Sequence, residues 1–377
     1  MDIYVVQPGD DIDSIAGYYG FPVEQIIYDN QLVYPYRLAV GQALLINNGV
    51  ASSDREAVFN GYAYPFISPY VLEQTLPFLS GLSIFSYGFT KEGNLVFPQP
   101  DDEWMIEQAV ANNVQPILTL TPLDASGRFS NNLITAVINN ETAKENLITQ
   151  LISAMMQKGY TGLDIDFEYI VAEDRDAFTT FVAECTRRMN AVGFTVSVAL
   201  APKTSANQRG LLYEGKDYGG LGAAANSVLL MTYEWGYTYG PPMAVAPLNK
   251  VRQVIEYALT EIPAAKIDMG IPNYGYDWPL PFERGVTKAK TIGNIEAVQI
   301  AINYGANIMF DEVSRAPYFN YYDSGIQHEV WFEDPRSIQA KLGLIEEYGI
   351  RGAGYWQIMR LFRANWLVQE NLFYLLR

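Results

Sequence analysis

The sequence holds a single cysteine, Cys185, among 377 residues. No intrachain disulfide can form, so the fold must be held by its core. Cys185 lies in the helix-like run from Asp176 to Val192 and reads as a buried structural thiol. Histidine is equally scarce, with His328 the sole example. A zinc site built on several histidines is excluded. A Ser-His-Asp arrangement would have to use His328, which stands in Gln327-His328-Glu329-Val330-Trp331, and no nucleophile-elbow motif accompanies it. Positive charge is in short supply: 25 Lys and Arg face 42 Asp and Glu, a net charge of -17. That balance argues against nucleic acid and against an anionic membrane surface as partners, and leaves a neutral polymer acceptable. No apolar run approaches the ~20 residues a membrane helix needs. Met1-Asp2-Ile3-Tyr4 has neither the basic nor the apolar region of a signal peptide. This predicts a protein made and used without Sec export, or one whose leader has been removed.

What is present is a large hydrophobic fraction, 49%, with 18% charged residues. Such a chain has ample core for one large barrel plus a small module. Its most telling stretch is Tyr160-Thr161-Gly162-Leu163-Asp164-Ile165-Asp166-Phe167-Glu168-Tyr169. Leu163, Ile165 and Phe167 alternate with Asp164, Asp166 and Glu168. In a β-strand, alternate side chains share a face, so the three acids line one side. Crowded carboxylates repel one another, and burying them is costly unless they are paired or protonated. A row of this kind points to chemistry rather than stability.

Strand-like segments recur at Ala57–Phe66, Gly81–Tyr87, Gln115–Leu120, Gly162–Glu168, Thr195–Ala201, Ser227–Tyr233, Lys266–Ile271 and Gly352–Trp356. Helix-like runs such as Asp102–Asn112, Thr142–Lys158 and Leu248–Glu261 lie between most of them. Eight such repeats in roughly 320 residues predict an α/β protein built as a (β/α)8 TIM barrel. A doubly wound sheet would want a Gly-rich phosphate turn after its first strand, and none is there. Gly219-Gly220-Leu221-Gly222-Ala223 reads instead as the entry to a helix. Strands seven and eight are far apart, with a small α+β insertion expected at about 283–332. In it, Thr291–Tyr304 is helix-like, and Ala306–Phe310, Tyr318–Tyr322 and Glu329–Phe332 are short antiparallel strands. Ser337–Tyr348 then supplies the last barrel helix. Barrel active sites sit at the C-terminal ends of the strands. There the sequence places Asp166 and Glu168, Tyr233-Glu234-Trp235, Asn273-Tyr274 and Tyr355-Trp356-Gln357, a mixture of acids and flat aromatics suited to a sugar.

Gly162-Leu163-Asp164-Ile165-Asp166-Phe167-Glu168 resembles the DGxDxDxE signature of family 18 glycoside hydrolases, with Thr161 in place of the first Asp. Altered tuning rather than lost activity is the expectation at that position. Asp166 and Glu168 on one strand face are roughly 6–7 Å apart at ~3.3 Å per residue and cannot easily flank a sugar ring. The resemblance implies retaining, substrate-assisted hydrolysis. Glu168 would be the general acid and then the base. Asp166 would orient the substrate 2-acetamido group as it attacks the anomeric carbon. Asp164 would share the Asp166 proton, and Tyr233 would bind the acetamido oxygen. Trp356 would floor the site, with Glu234, Trp235, Asn273 and Tyr274 also on the substrate. No metal or cofactor is implied.

Residues 1–47 read as a separate β-α-α-β module. Tyr4-Val5-Val6 makes a strand, Asp13 or Ser14 caps a helix, Val23, Ile26 and Ile27 mark a second, and Leu38–Ile46 returns as turn and strand. The module resembles a LysM domain, which implies a groove for GlcNAc-containing glycan near residues 9–12 and 30–37, with Gly9, Asp10, Asp11, Ile12 and Asn30 as candidate contacts. Residues 48–55 read as a linker and 56–377 as the barrel. Met231–Tyr237, Gly240–Pro247, His328–Asp334 and Gly354–Trp356 further resemble one branch of the family, the spore-cortex N-acetylglucosaminidases of spore-forming Firmicutes. The branch implies peptidoglycan as the partner and the spore cortex or coat as the location. A cell-wall or secreted protein is the alternative if a leader was removed. A chitinase, or a barrel that binds chitin-type glycan without cleaving it, remains the alternative activity. Oligomeric state is not encoded in any motif.

Overall fold

The computed structural model describes residues 1–49, 55–124 and 126–377. Most of the expected linker, residues 50–54, lies outside the described residues. Eight parallel strands close into a barrel: Glu56–Ala63, Gly81–Phe89, Gln115–Leu120, Gly162–Ile165, Thr195–Leu200, Ser227–Leu230, Ile267–Pro272 and Gly352–Trp356. Closure comes from the first strand, which pairs with both the second and the eighth. The chain is thus a (β/α)8 TIM barrel. A helix follows each strand, from Pro69–Thr75 after the first to Arg363–Leu372 after the eighth. That last helix, and the short strand Tyr374–Leu375 which pairs beside the first barrel strand, were not apparent from the sequence.

The alternation in the fourth strand is physically sorted. Leu163, Ile165 and Phe167 point outward into the layer between strands and helices and are fully buried. Phe167 stacks on Phe178 and Phe181 of the helix Arg175–Asn190, with ring centroids 5.8 and 5.9 Å apart. Cys185, on the same helix, is buried in that layer. Turning three large apolar groups outward leaves Asp164 and Asp166 facing the barrel axis.

Between strands seven and eight lies a five-stranded antiparallel sheet in the order Lys290–Ile292, Gly275–Pro279, Ile326–Trp331, Ala316–Asp323, Met309–Asp311, with the helix Asn294–Tyr304 beside it. The sheet begins at Gly275, ahead of the expected start near 283, because the chain leaves barrel strand seven at Pro272 and pairs at once with Ile326–Trp331.

The N-terminal unit is β-α-α-β: Asp2–Val5 pairs antiparallel with Ala43–Ile46, and helices Ile12–Tyr19 and Val23–Asp29 pack over Val6, Ile15, Ile26 and Leu44. The first helix is capped by Asp11, not by Asp13 or Ser14. The Asp11 carboxylate accepts from the Ser14 backbone at 2.7 Å, and the Ser14 hydroxyl closes the reciprocal capping box. This unit rests on the barrel and the inserted sheet. Ile308 N–H donates to Val40 C=O at 2.8 Å, the Gln31 carboxamide accepts from Arg363 N–H at 2.7 Å, and Arg363 lies 3.8 Å from the Tyr28 ring centroid. Among the described residues no helix is long and apolar enough to cross a membrane.

Candidate active site

The fourth strand is shorter than its sequence pattern. It ends at Ile165, where its partner strand Gln115–Leu120 also ends. Asp166 N–H still donates to Leu120 C=O at 2.9 Å, so the extended course carries the acid row to the rim. The sixth strand stops at Leu230, since Thr232 and Tyr233 fold back onto the carbonyls of Leu230 and Met231 and lift Tyr233 over the barrel mouth. Room for that ring comes from Gly270 on the seventh strand. A Cβ there would stand 2.6 Å from Tyr233 Cε1 and 2.8 Å from Leu230 C=O, so the close approach requires glycine.

Asp164 is fully buried and doubly held. The Tyr62 hydroxyl donates to Oδ2 at 2.9 Å, and the Ser197 hydroxyl donates to Oδ1 at 2.6 Å. Ser197 is its register neighbour on the fifth strand. Burial raises the Asp164 carboxyl above the usual carboxylate range, while the Ser197 and Tyr62 donors pull the other way. Asp166 has no such support, and among the described residues its buried Oδ1 is without a partner. Burial first, then the charges of Glu168 and Asp164, push it well above the ordinary range. Glu168 is half-buried, and burial raises it too. Lys216 opposes the shift at both Asp166 and Glu168. The proton in this row therefore belongs on Asp166 rather than on Asp164, whose charged form has the donors.

These side chains open into a cavity of about 330 Å³ whose lining includes Asp166, Glu168, Tyr213, Tyr233, Glu234 and Trp356. Tyr233 is raised by burial and by the facing Asp166 and Glu168. Trp356, at the end of strand eight, is half-buried and braced from below, with Phe85 at 5.0 Å and Tyr62 at 5.8 Å between centroids. Its peptide to Gln357 is cis. Glu234 adopts a left-handed backbone, φ 67°, unusual for a side chain of its size. Tyr274 and Tyr276 both donate to its carboxylate, the latter at 2.9 Å.

Other expected contacts lie a layer back. Asn273 is buried, and its amide nitrogen donates to the carbonyls of Gln357 at 3.0 Å and Arg360 at 2.9 Å, behind Trp356. Tyr274 reaches the cavity through Glu234, and Trp235 packs against the core while its backbone N–H donates to Val245 C=O. Thr161 sits at the opposite end of the strand, exposed, beside the basal ends of its neighbours. The departure from the signature is thus remote from the acid row.

In the N-terminal unit, Asp10 accepts from the Tyr4 hydroxyl at 2.7 Å, and Gly9 forms the turn before it with φ 91°. Ile12 is core. Asn30 donates to Ile26 and Leu45 carbonyls and accepts from Leu45 N–H, so its amide hydrogens are engaged inside the unit. Sequence reasoning missed Tyr62, Ser197 and Lys216. Tyr62 and Ser197 were visible as inward positions of alternating strands, whereas no local pattern marks Lys216.

The family model "Glycosyl hydrolases family 18" matches residues 121–360, and the LysM domain model matches residues 4–47. The chain is 35% identical to the cortical fragment-lytic enzyme of Bacillus subtilis, covering 99% of this chain and 98% of that one. It is 37% identical to the enzyme of that name from Bacillus anthracis, with 98% of each chain covered. The crystal structure of the Bacillus cereus spore cortex-lytic enzyme SleL superposes with a TM-score of 0.94 at 32% identity, over 100% of this chain and 99% of that one.

Proposed function

The chain belongs to family 18 of the glycosyl hydrolases and is a glycoside hydrolase with a LysM domain, and from that premise we propose that it cleaves spore-cortex peptidoglycan as an N-acetylglucosaminidase. The relatives' names supply the substrate class, and the site supplies a mechanism suited to it. The observation that carries the reading is the unpartnered Oδ1 of Asp166, buried at the edge of a sugar-sized cavity beside Glu168.

In this reading the substrate itself supplies the nucleophile. A GlcNAc residue lies over Trp356 with its 2-acetamido group against Asp166. The acetamido N–H satisfies the orphan carboxyl oxygen, and the carbonyl oxygen is aimed at the anomeric carbon. Glu168, kept protonated by burial, gives its proton to the departing glycosidic oxygen. Charge that develops on the acetamido group is met by Asp166, which passes its proton toward Asp164 as it does so. The Tyr233 hydroxyl steadies the acetamido oxygen. Water then opens the cyclic intermediate, and Glu168 takes back a proton, giving retention. Glu234, with Tyr274 behind it, reads sugar hydroxyls at the rim. Asn273 acts through the Trp356 segment, and Trp235 shapes the wall. Residues 1–47 form the LysM module, 56–377 the barrel and 48–55 the connection. The segments around Gly9, Asp10, Asp11 and Ile12, and the loop after Asn30, bind the glycan strand. The site of action is the spore cortex.

The test is product analysis by mass spectrometry after incubation with cortical fragments and, separately, with chitooligosaccharides, with Glu168→Gln alongside. Cleavage of cortical glycan after GlcNAc, lost in the variant by about 10³-fold or more, is the expected result. Cleavage of chitooligosaccharides alone would replace the cortex by a chitin-type substrate. Binding without cleavage of either would overturn the catalytic reading.

A further inference from the structure

Lys216 is fully buried next to the acid row, yet among the described residues it forms no salt bridge, its ammonium being held by backbone carbonyls. It stands between the fifth barrel strand and the helix Tyr218–Ala224. Its ammonium donates to the carbonyl oxygen of Phe167, on the residue between Asp166 and Glu168, and more loosely to Ala199 C=O at 3.5 Å. It lies 4.9 Å from the centroid of Phe178. A buried cation without a counterion is costly, and a neutral apolar residue would fill the same space more cheaply. The other fully buried lysine, Lys341, has Glu333 at 2.8 Å.

Two further details hold Lys216 in place. The preceding Gly215 lies so close to Ile170 that a Cβ would stand 2.3 Å from its carbonyl oxygen. Glycine thus lets this segment press against the chain just beyond Glu168. The Lys203 ammonium donates to Lys216 C=O at 2.9 Å and fixes the backbone from the other side. The charges facing Lys216 from the fourth-strand tail are Asp166 and Glu168. On its own segment, Asp217 pairs at 3.3 Å with Arg175 of the neighbouring helix. Lys203 is directed at the backbone carbonyls of Ala206 and Lys216.

We infer that Lys216 is a positioning residue for Asp166 and Glu168, clamping the Phe167 carbonyl so that the two acids keep their spacing and supplying the positive charge that favours ionised Asp166 as its proton moves toward Asp164. The inference rests on the proposed reading of those two acids. Burial pushes the Lys216 ammonium down to about 8, with Asp166 and Glu168 opposing. The lysine thus stays charged over the acid and neutral range, where Asp166 takes on negative charge as it gives up its proton.

The test uses the full chain and its Lys216→Met, Lys216→Gln and Lys216→Arg variants, with folding checked by circular dichroism. Profiles of kcat and kcat/KM on cortical fragments are recorded from about pH 4 to about pH 9. Loss of the charge raises the carboxyls, so the acid limb should move up by about one pH unit in the Met and Gln proteins. Their kcat should fall roughly tenfold or more with little change in KM. Arg should keep the position of the limb while losing kcat. A folded Met protein with an unmoved acid limb overturns the inference. A second measurement needs neither activity nor a Lys216 substitution: lysine 13Cε NMR titration of the unmodified protein and of Glu168→Gln. Coupling is reciprocal, so loss of the Glu168 charge should lower the Lys216 midpoint. An unchanged midpoint overturns the inference. If the unmodified protein cleaves no glycan while this midpoint still moves, the functional reading fails and the pairing stands.

Discussion

The hydroxyl of Tyr62 on the first barrel strand donates to Oδ2 of Asp164 on the fourth, 2.9 Å across the barrel interior. With Ser197 on the other oxygen, it makes Asp164 the carboxyl best able to carry negative charge. Tyr62→Phe removes one of the two donors. Asp164 then holds its charge less well, and Asp164 and Asp166 together reach their single-anion form at higher pH. The acid limb of the kcat profile should move upward, and kcat should drop about tenfold with KM nearly unchanged. Steady-state kinetics on cortical fragments at several pH values would show it. A Tyr62→Phe enzyme with an unaltered limb would deny Asp164 its place in the proton inventory.

Tyr233 offers the complementary case. Among the described residues its hydroxyl makes no hydrogen bond, although the ring is wedged over Gly270. The group is therefore free for substrate. Tyr233→Phe should leave the melting temperature within about 1 °C of the unmodified protein, because packing is kept. Its kcat should fall on the order of 10²-fold, the usual cost of losing one donor at a developing charge. A large loss of stability with intact kcat would make the hydroxyl structural.

A third expectation concerns the small N-terminal unit. Asp29 is buried, and burial raises its carboxyl despite the Gln25 donor and Arg363, whose Nε lies 3.6 Å away. Arg363 also covers the Tyr28 ring and reaches Gln74 on the barrel at 3.1 Å. Arg363→Ala strands Asp29 and uncovers Tyr28. The unit should lose about 2 kcal/mol of its attachment. Differential scanning calorimetry should then resolve an early transition for the N-terminal unit before the barrel melts. A single transition at the original temperature would show that the Ile308–Val40 and Gln31 contacts suffice.

The barrel was legible because two periodicities coincide in this chain. The outward Leu163, Ile165 and Phe167 announce a strand buried beneath a helix, and the inward acids announce its working face. The limits of that reading are equally physical. Alternation cannot say where pairing ends, so Asp166 to Glu168 were assigned to a strand that stops at Ile165. The run Asn273–Trp278 reads as the end of strand seven, although Gly275–Pro279 belongs to the inserted sheet, because inserted and barrel strands share the same composition. Their difference lies in a long-range partner, Ile326–Trp331. Asn30 and Asn273 look like surface amides in sequence, yet each bonds to backbone carbonyls that only the folded chain brings near. Lys216 had no signature, since its meaning comes from a carbonyl 49 residues away.

The acid row should also set how stability responds to pH. In the folded chain Asp166 lies well above its ordinary value, chiefly through burial and then through Glu168 and Asp164. A carboxyl raised by folding binds its proton more tightly in the native state than in the unfolded chain. Its contribution is therefore intact below the unfolded value near 3.8 and is lost as pH rises toward the folded one. Asp166→Asn keeps the shape and removes the ionisation. The Asn protein should melt higher than the unmodified protein at about pH 8, by about 3 °C, and the gap should close as the pH is lowered toward about 4. Scanning fluorimetry across that range is sufficient. The same variant should lose most of its turnover, so stability and activity would move in opposite directions at one oxygen-to-nitrogen exchange. Equal melting temperatures at both ends of the range would mean that Asp166 ionises in the folded protein as easily as in water. The account of one proton shared by Asp164 and Asp166 would then fail, even with the hydrogen bonds of Asp164 intact.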